Sequence, residues 1–325
     1  MHSRKIGSLE CSAVGLGCMN MSMGYGAADE RESGDLLNHA LDVGYTFFDT
    51  AHMYGDGHNE MLVGKYLSDK RQQFVLATKC GLSNGGIDGR PETIVKECNE
   101  SLSRLKTDVI DLYYLHRADP KVPIEESVGA MAQLVAQGKV RELGLSEICT
   151  DTLKRAVAVH KIAAVQSEYS LWSRTPERGI IDTCNAHDIA FVPFSPLGRG
   201  FLTGKAADVT QLSDSDLRCT IARPRFEPDA YADNVKLLKP FAETAAQNNC
   251  SMAQLALAWL LNRGDNMLPI PGTKHMDFMI ENAGASEIKL DTSTLIQLDQ
   301  LINHDTVVGT RYTENRMAAS EAERD

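Results

Sequence analysis

The feature that most restricts the fold of this chain is an alternation of short apolar runs with longer amphipathic stretches, repeated eight times along 325 residues. The runs, rich in Val, Ile, Phe and Tyr, lie near 13–18, 46–50, 74–79, 109–116, 140–146, 162–167, 189–195 and 266–272. Between them, helical spacing is clearest at 29–44, 59–69, 91–106 and 124–139, with Pro91 opening one helix and Gly138 closing another. Strands that alternate with helices build a parallel sheet. Eight such units predict an α/β fold closed as a (β/α)8 TIM-type barrel rather than left as an open sheet. "RKIGSLECSAV" predicts a hairpin with Gly7-Ser8 at its turn, covering the barrel floor. From Gly198 to about Asp233 no period is visible, which predicts a long loop, and such loops are more often functional than accidental. No linker divides the chain, so one domain over 1–325 is expected.

Composition narrows the function. With 43% hydrophobic and 24% charged residues the chain has enough apolar side chains for a large core and does not read as disordered. A net charge of −11 argues against a general nucleic-acid or anionic-membrane surface, so any phosphate site must be built locally. No apolar run approaches the roughly 20 residues that span a bilayer, and "MHSRKIGSLECSAVGLG" lacks a signal-peptide core, so a cytoplasmic location is expected. Eight scattered cysteines without a C-x-x-C pair read as reduced core residues.

In a barrel of this kind the active site lies at the C-terminal ends of the strands. Asp49 ends the second run, Tyr54 follows in its loop, Lys79 ends the third and His116 ends the fourth. Each alone suits an ordinary strand end that needs hydrogen bonds. Together they make an acid. A tyrosine titrates near pH 10, and a neighbouring ammonium eases its proton loss by stabilising the phenolate. Lys79 would supply that charge, Asp49 would orient Lys79, and His116 would hydrogen-bond the substrate oxygen or Tyr54 itself. Such a set protonates an oxygen that gains negative charge, as in carbonyl reduction.

At these residues the chain resembles the aldo-keto reductases. "FFDTAHMYGDGHNE", "LATKCG" and "LYYLHR" look like that family's signature segments in order, and Asp49, Tyr54, Lys79 and His116 match its catalytic tetrad. The likeness runs from "GLGCMNMS" to "GTRYTENRM". It implies a barrel with an N-terminal hairpin, a C-terminal tail over the active-site face, and extended NADP(H) bound without a Rossmann domain. No G-x-G-x-x-G lies between a strand and a helix.

The resemblance also assigns cofactor positions. Ser146 and Gln166 match the residues that hold the nicotinamide carboxamide, and Glu147 stands where many relatives have asparagine. A carboxylate accepts from the carboxamide but cannot donate to it. Phe194 matches the residue stacked on the nicotinamide, with Leu197, Gly198 and Arg199 toward the diphosphate. Thr273 and Lys274 match the 2′-phosphate element, where Thr273 would cap the next helix, and Glu281 and Asn282 match the pair facing the adenine. Where relatives often place a further arginine, this chain has His275, Met276, Asp277 and Phe278, which predicts a modest preference for NADPH over NADH. Asn20 replaces a common glycine, a change that positive φ tolerates.

Met19, Tyr25, Met53 and Trp172, with part of the 198–233 loop, are expected to line an apolar substrate cavity for small carbonyl compounds. Two rival functions can be set beside this one. A metal hydrolase would use histidines such as His52 and His58 near Asp49, but neither H-x-H nor H-E-x-x-H is present, and no metal site is expected. A cofactor-binding regulatory subunit, resembling potassium channel β-subunits, is compatible with an intact tetrad. The barrel units begin almost at residue 1, without the long extension such a subunit would carry.

Overall fold

The computed structural model describes residues 1–205 and 208–325. Its strands are β1 (Ser3–Ile6), β2 (Leu9–Ser12), β3 (Leu16–Gly17), β4 (Phe47–Asp49), β5 (Val75–Cys80), β6 (Leu82–Ser83), β7 (Gly86–Ile87), β8 (Ile110–Leu115), β9 (Val140–Ser146), β10 (Ala164–Glu168) and β11 (Ala190–Phe194). Seven of them form one parallel sheet in the order β11-β10-β9-β8-β5-β4-β3. The eighth expected strand, 266–272, closes it through bridges from Phe191 to Met267 and from Gly17 to Gly272. Its sequence, "NMLPIPG", explains why it is a chain of bridges rather than a full strand. Leu268 and Ile270 donate to the carbonyls of Phe191 and Pro193, and the carbonyls of Pro269 and Pro271 accept from Gly15 and Gly17. Proline has no N–H to return on that second edge. The closed ring is the (β/α)8 barrel expected from the periodicity.

The helices are α1 (Glu30–Val43), α2 (His58–Leu67), α3 (Pro91–Leu105), α4 (Ile124–Ala136), α5 (Thr150–Val159), α6 (Ile180–Ala186), α7 (Pro228–Val235), α8 (Leu238–Gln247), α9 (Met252–Leu261), α10 (Met276–Ala283), α11 (Thr292–Leu301) and α12 (Glu314–Ala319). Their ends follow local chemistry. Asp29 accepts from the Glu32 N–H at 2.9 Å to cap α1, and Gly44 at φ +98° ends it. Several boundaries differ from expectation, with α2 spanning His58–Leu67 and α4 stopping at Ala136. Lys106 leaves α3 in a left-handed cap, and the segment read as loop to Asp233 becomes α7 from Pro228, because proline sets φ at a first helical position without losing a needed hydrogen bond.

At the floor, the β1–β2 hairpin turns at Gly7, φ +59°, and the Ser8 N–H donates to the Glu142 carboxylate of β9 at 2.7 Å. Ile6, Leu9 and Cys11 pack there against Phe47, Leu112 and Leu268, so this end of the barrel is plugged and apolar. A second, larger core fills the layer between sheet and helices. The opposite, C-terminal end is left open for polar side chains. The tail beyond 303, including α12, folds toward that end and is held by Asp325 and Glu321, which accept from the Thr150 N–H at 3.0 Å and the Thr152 hydroxyl at 2.8 Å. Among the described residues no helix is long and apolar enough to cross a membrane.

Candidate active site

Parallel pairing places the strand ends side by side. Asp49 is paired with Ala77 and Lys79 with Tyr114, while His116 follows directly on β8. Tyr54 is brought in by the tight turn after β4, where its N–H donates to the Ala51 carbonyl at 3.1 Å. The Lys79 ammonium, fully buried, donates to Asp49 Oδ1 at 2.5 Å, to the Thr50 carbonyl at 2.8 Å and to Tyr54 Oη at 3.1 Å. Gln166 Nε2 donates to the other Asp49 oxygen at 2.9 Å. The His116 ring meets Tyr54 edge-on, with centroids 5.9 Å apart.

The electrostatics suit a proton donor. Burial opposes charge on Lys79, but Asp49 and Tyr54 outweigh it and hold its pKa above the ordinary lysine value. Burial raises the Tyr54 pKa, and Lys79 offsets only part of that rise, so the resting phenol is protonated. Burial, reinforced by Arg117 and Lys79, pushes His116 well below the ordinary histidine value, so its imidazole is neutral. Its Nδ1 has no hydrogen-bond partner among the described residues.

This cluster opens into a cavity of about 880 Å³ at the C-terminal end of the barrel. Asp49, Tyr54 and His116 form its base, with Lys79 behind Tyr54 rather than in the wall. Met19, Tyr25 and Met53 also line it, as do Leu82 and Ile87 of the small β6–β7 hairpin, with the Arg218 guanidinium over the Tyr25 ring at 5.5 Å from its centroid. Ser146, Glu147 and Gln166 occupy neighbouring strand ends of the same wall, and Phe194, Leu197 and Arg199 extend it. Thr273, Lys274, Glu281 and Asn282 lie on the stretch at and before α10. The sequence thus names residues on every part of one continuous wall.

Three expectations need correction. Trp172 does not line the cavity. It is 2% exposed and stacks on Phe201 with centroids 4.1 Å apart, because the Ser170–Ser173 turn tucks this large ring under the loop. Gly198 is also outside the wall, buried against Trp172 with φ +56°. Thr273 does not cap α10 in the usual way: its Oγ1 accepts from the N–H of His275, itself the N-cap residue, at 3.0 Å.

Glu147 lines the cavity, but its carboxylate is committed. Oε2 meets Arg311 at 2.7 Å and Oε1 accepts from the Glu168 N–H at 3.0 Å. Burial opposes its ionisation, yet Arg311 and Arg117 hold its pKa below the ordinary glutamate value. Arg311 also binds Glu323 at 2.5 Å, and Glu168 binds Arg199 at 2.7 Å. This buried network ties the tail to the ends of β9 and β10. Sequence reasoning did not single out Arg311, Glu168 or Arg117. Glu168 carried the same signal as Asp49, a carboxylate at the end of an apolar strand, whereas Arg311 has no local signature.

Lys274 ties the α10 end to the loop after β3, donating to the carbonyls of Tyr25 at 3.1 Å and Ala27 at 2.5 Å. Lys205 comes from the opposite loop and sits over the Phe278 ring, 3.6 Å from its centroid. Among the described residues no group of three or more His, Cys, Asp and Glu side chains is arranged to hold a metal.

A parallel barrel whose strand ends present a buried Asp–Lys pair, a protonated tyrosine and a neutral histidine to one cavity has groups able to exchange a proton with an oxygen bound there. Residues 13–303 match the model of the aldo/keto reductase family. The chain is 39% identical over 321 residues to the Schizosaccharomyces pombe aldo-keto reductase yakc, whose name specifies NADP(+), covering 95% of this chain and 94% of that one. It is 40% identical to a probable aldo-keto reductase 1 of Glycine max, covering 93% and 89%. Among solved structures it is similar to glycerol dehydrogenase AKR11B4 of Gluconobacter oxydans, with a TM-score of 0.85, 28% identity and 92% and 94% of the chains covered. An aldo-keto reductase of Klebsiella pneumoniae in complex with NADPH gives a TM-score of 0.72 at 28% identity over 96% and 99%. The chain belongs to the aldo-keto reductase family.

Proposed function

We propose that this chain is a cytoplasmic NADP(H)-dependent oxidoreductase that reduces aldehydes or ketones to alcohols, acting as one barrel domain. The observation that carries the proposal is the Lys79 ammonium, held by Asp49 at 2.5 Å and placed 3.1 Å from the Tyr54 hydroxyl at the base of the cavity. Tyr54 gives its proton to the carbonyl oxygen as negative charge develops there. Lys79 stabilises the phenolate that remains, and Asp49 keeps Lys79 charged and in place. The neutral His116 imidazole orients the substrate oxygen by hydrogen bonding without bringing a second formal charge.

The donor set fits the cofactor. Ser146 and Gln166 offer a hydroxyl and an amide at the ends of β9 and β10, Phe194 offers a ring face, and Leu197 with Arg199 continues toward a diphosphate. Thr273 and Lys274 stand before α10, where an adenosine 2′-phosphate would meet a cation and a helix start. Glu281 and Asn282 then face the adenine. Bound NADPH supplies the hydride, the one part of the reaction that no side chain provides. Met19 and Met53 give the substrate side an apolar surface suited to small carbonyl compounds, while Tyr25, with the Arg218 guanidinium over its ring, stands nearer the cationic part of the wall.

The test is NADPH oxidation with a reactive aromatic aldehyde, comparing the wild type with Tyr54→Phe. The variant keeps the ring and loses the proton, so it should bind NADPH while losing about 10²-fold or more in rate. Tight NADPH binding without turnover of any aldehyde by the wild type would instead favour a cofactor-sensing regulatory subunit.

A further inference from the structure

A nicotinamide carboxamide presents an acceptor oxygen and a donor NH2, so fixing its rotation needs a protein donor and a protein acceptor side by side. The acceptor is available. Gln166 must turn its NH2 toward the Asp49 carboxylate, 2.9 Å away, which leaves its amide oxygen for another partner. The donor is harder to find. Glu147 cannot donate, and its carboxylate is already held by Arg311 and the Glu168 N–H.

Arg117 supplies the missing control. Its Nη1 donates to the His116 carbonyl at 2.5 Å and to Ser146 Oγ at 3.2 Å, and its side chain lines the cavity beside both residues. A serine hydroxyl that accepts a guanidinium N–H keeps its single proton for a different acceptor. Arg199 and Arg218 in the same wall are paired with Glu168 and Asp216 at 2.7 and 2.8 Å. Arg117, in contrast, has no carboxylate in ion-pair contact among the described residues; its two hydrogen bonds go to neutral oxygens. Its charge is therefore not taken up by a direct ion pair and acts on Glu147 only at longer range.

We propose that Arg117 is a positioning residue for the nicotinamide. By donating to Ser146 Oγ it directs the Ser146 hydroxyl proton to the carboxamide oxygen, while Gln166 accepts from the carboxamide NH2. The arrangement replaces the donor that asparagine would provide at position 147. This inference rests on the NADP(H) reading above.

Calorimetric titration tests it with two ligands, NADPH and 2′,5′-ADP, which shares the adenosine phosphates and lacks the nicotinamide. Arg117→Met should weaken NADPH by about tenfold, the worth of a charge-assisted hydrogen bond, and leave 2′,5′-ADP within about twofold. Ser146→Ala should show the same split, and the double variant should be no worse than about twofold beyond either single change, because both remove one linked contact. Arg117→Lys, which keeps a donor and a charge, should recover part of the loss. Equal weakening of both ligands in Arg117→Met would mark a structural role and overturn the proposal. So would unchanged NADPH affinity, or losses that add fully in the double variant. If the wild type binds 2′,5′-ADP but gains nothing from the nicotinamide half, the positioning role falls while the phosphate site stands. If it binds neither ligand, the NADP(H) reading falls and takes this inference with it.

Discussion

The Lys79 ammonium lies 3.1 Å from the Tyr54 hydroxyl and 2.5 Å from Asp49, entirely out of water. A buried charge pair of this kind is costly to form and more costly to halve. Lys79→Met leaves Asp49 buried without its counter-charge, so it should cost about 3–5 kcal/mol of stability. The Asp49→Asn/Lys79→Met double variant should recover part of that loss. Reductase activity should nevertheless stay low in both, since each lacks the charge proposed to stabilise the phenolate. Urea unfolding and steady-state rates measured together check this. A stable, fully active Lys79→Met would remove Lys79 from the mechanism.

Trp172 stacks on Phe201 and meets Phe226 edge-on at 5.4 Å, which makes it a support for the loop rather than a substrate contact. Trp172→Ala should therefore lower stability by about 3–5 kcal/mol, as for other large buried aromatics. Trp172→Phe keeps a ring in the stack and should leave the ratio of kcat/KM between a small and a bulky aldehyde unchanged. A shift in that ratio with little change in Tm would return Trp172 to the cavity wall.

Much of this architecture was legible because its signals are local. The period of the apolar runs and Pro91 at the start of α3 each act within a few residues, and Asp49 and Lys79 stand out as charges at the ends of apolar strands. The errors have the opposite character. Trp172 reads equally well as a pocket or a core residue until Phe201 and Phe226 are folded against it. Gly198 reads as a diphosphate contact until Trp172 is folded against it. No sequence pattern links those positions. Helix α7 was missed because "EPDAYADNV" is short and polar, and its one clear signal is Pro228 at the start.

Arg311 joins the tail to the barrel through Glu147 and Glu323, beside a Glu168 carboxylate shared with Arg199. Arg311→Met should strip these carboxylates of a buried partner, with a loss of about 3–5 kcal/mol. Amide exchange should rise across 303–325 before it rises in the barrel strands. The pH dependence has a fixed sign. Burial opposes the charge of Glu168, but Arg199 and Arg311 hold its pKa down at about 2, against an ordinary 4.5. Its contribution is therefore complete above the ordinary value and is lost as pH falls from there toward about 2. Urea midpoints of the wild type should fall across that window, and less steeply in Arg311→Met. Equal slopes would place the acid sensitivity elsewhere.

His116 makes the opposite kind of test, because its protonation is suppressed. Burial, Arg117 and Lys79 all lower its pKa well below the ordinary 6.5. The unfolded chain takes up a proton as pH falls through that ordinary value and the native site does not. His116 therefore takes nothing from stability above pH 6.5 and lowers it progressively below. In the proposed mechanism the same suppression favours a neutral, hydrogen-bonding imidazole. The pH profile of kcat/KM should show no limb near 6.5 that disappears in His116→Asn. Nitrogen-15 shifts of the His116 ring should stay at their neutral values from about pH 5.5 to 7.5, roughly one unit either side of the ordinary histidine pKa. A ring that titrates between pH 6 and 7, within the ordinary histidine range, would mean that water reaches the base of the cavity. His116 would then act as a charged acid alongside Tyr54.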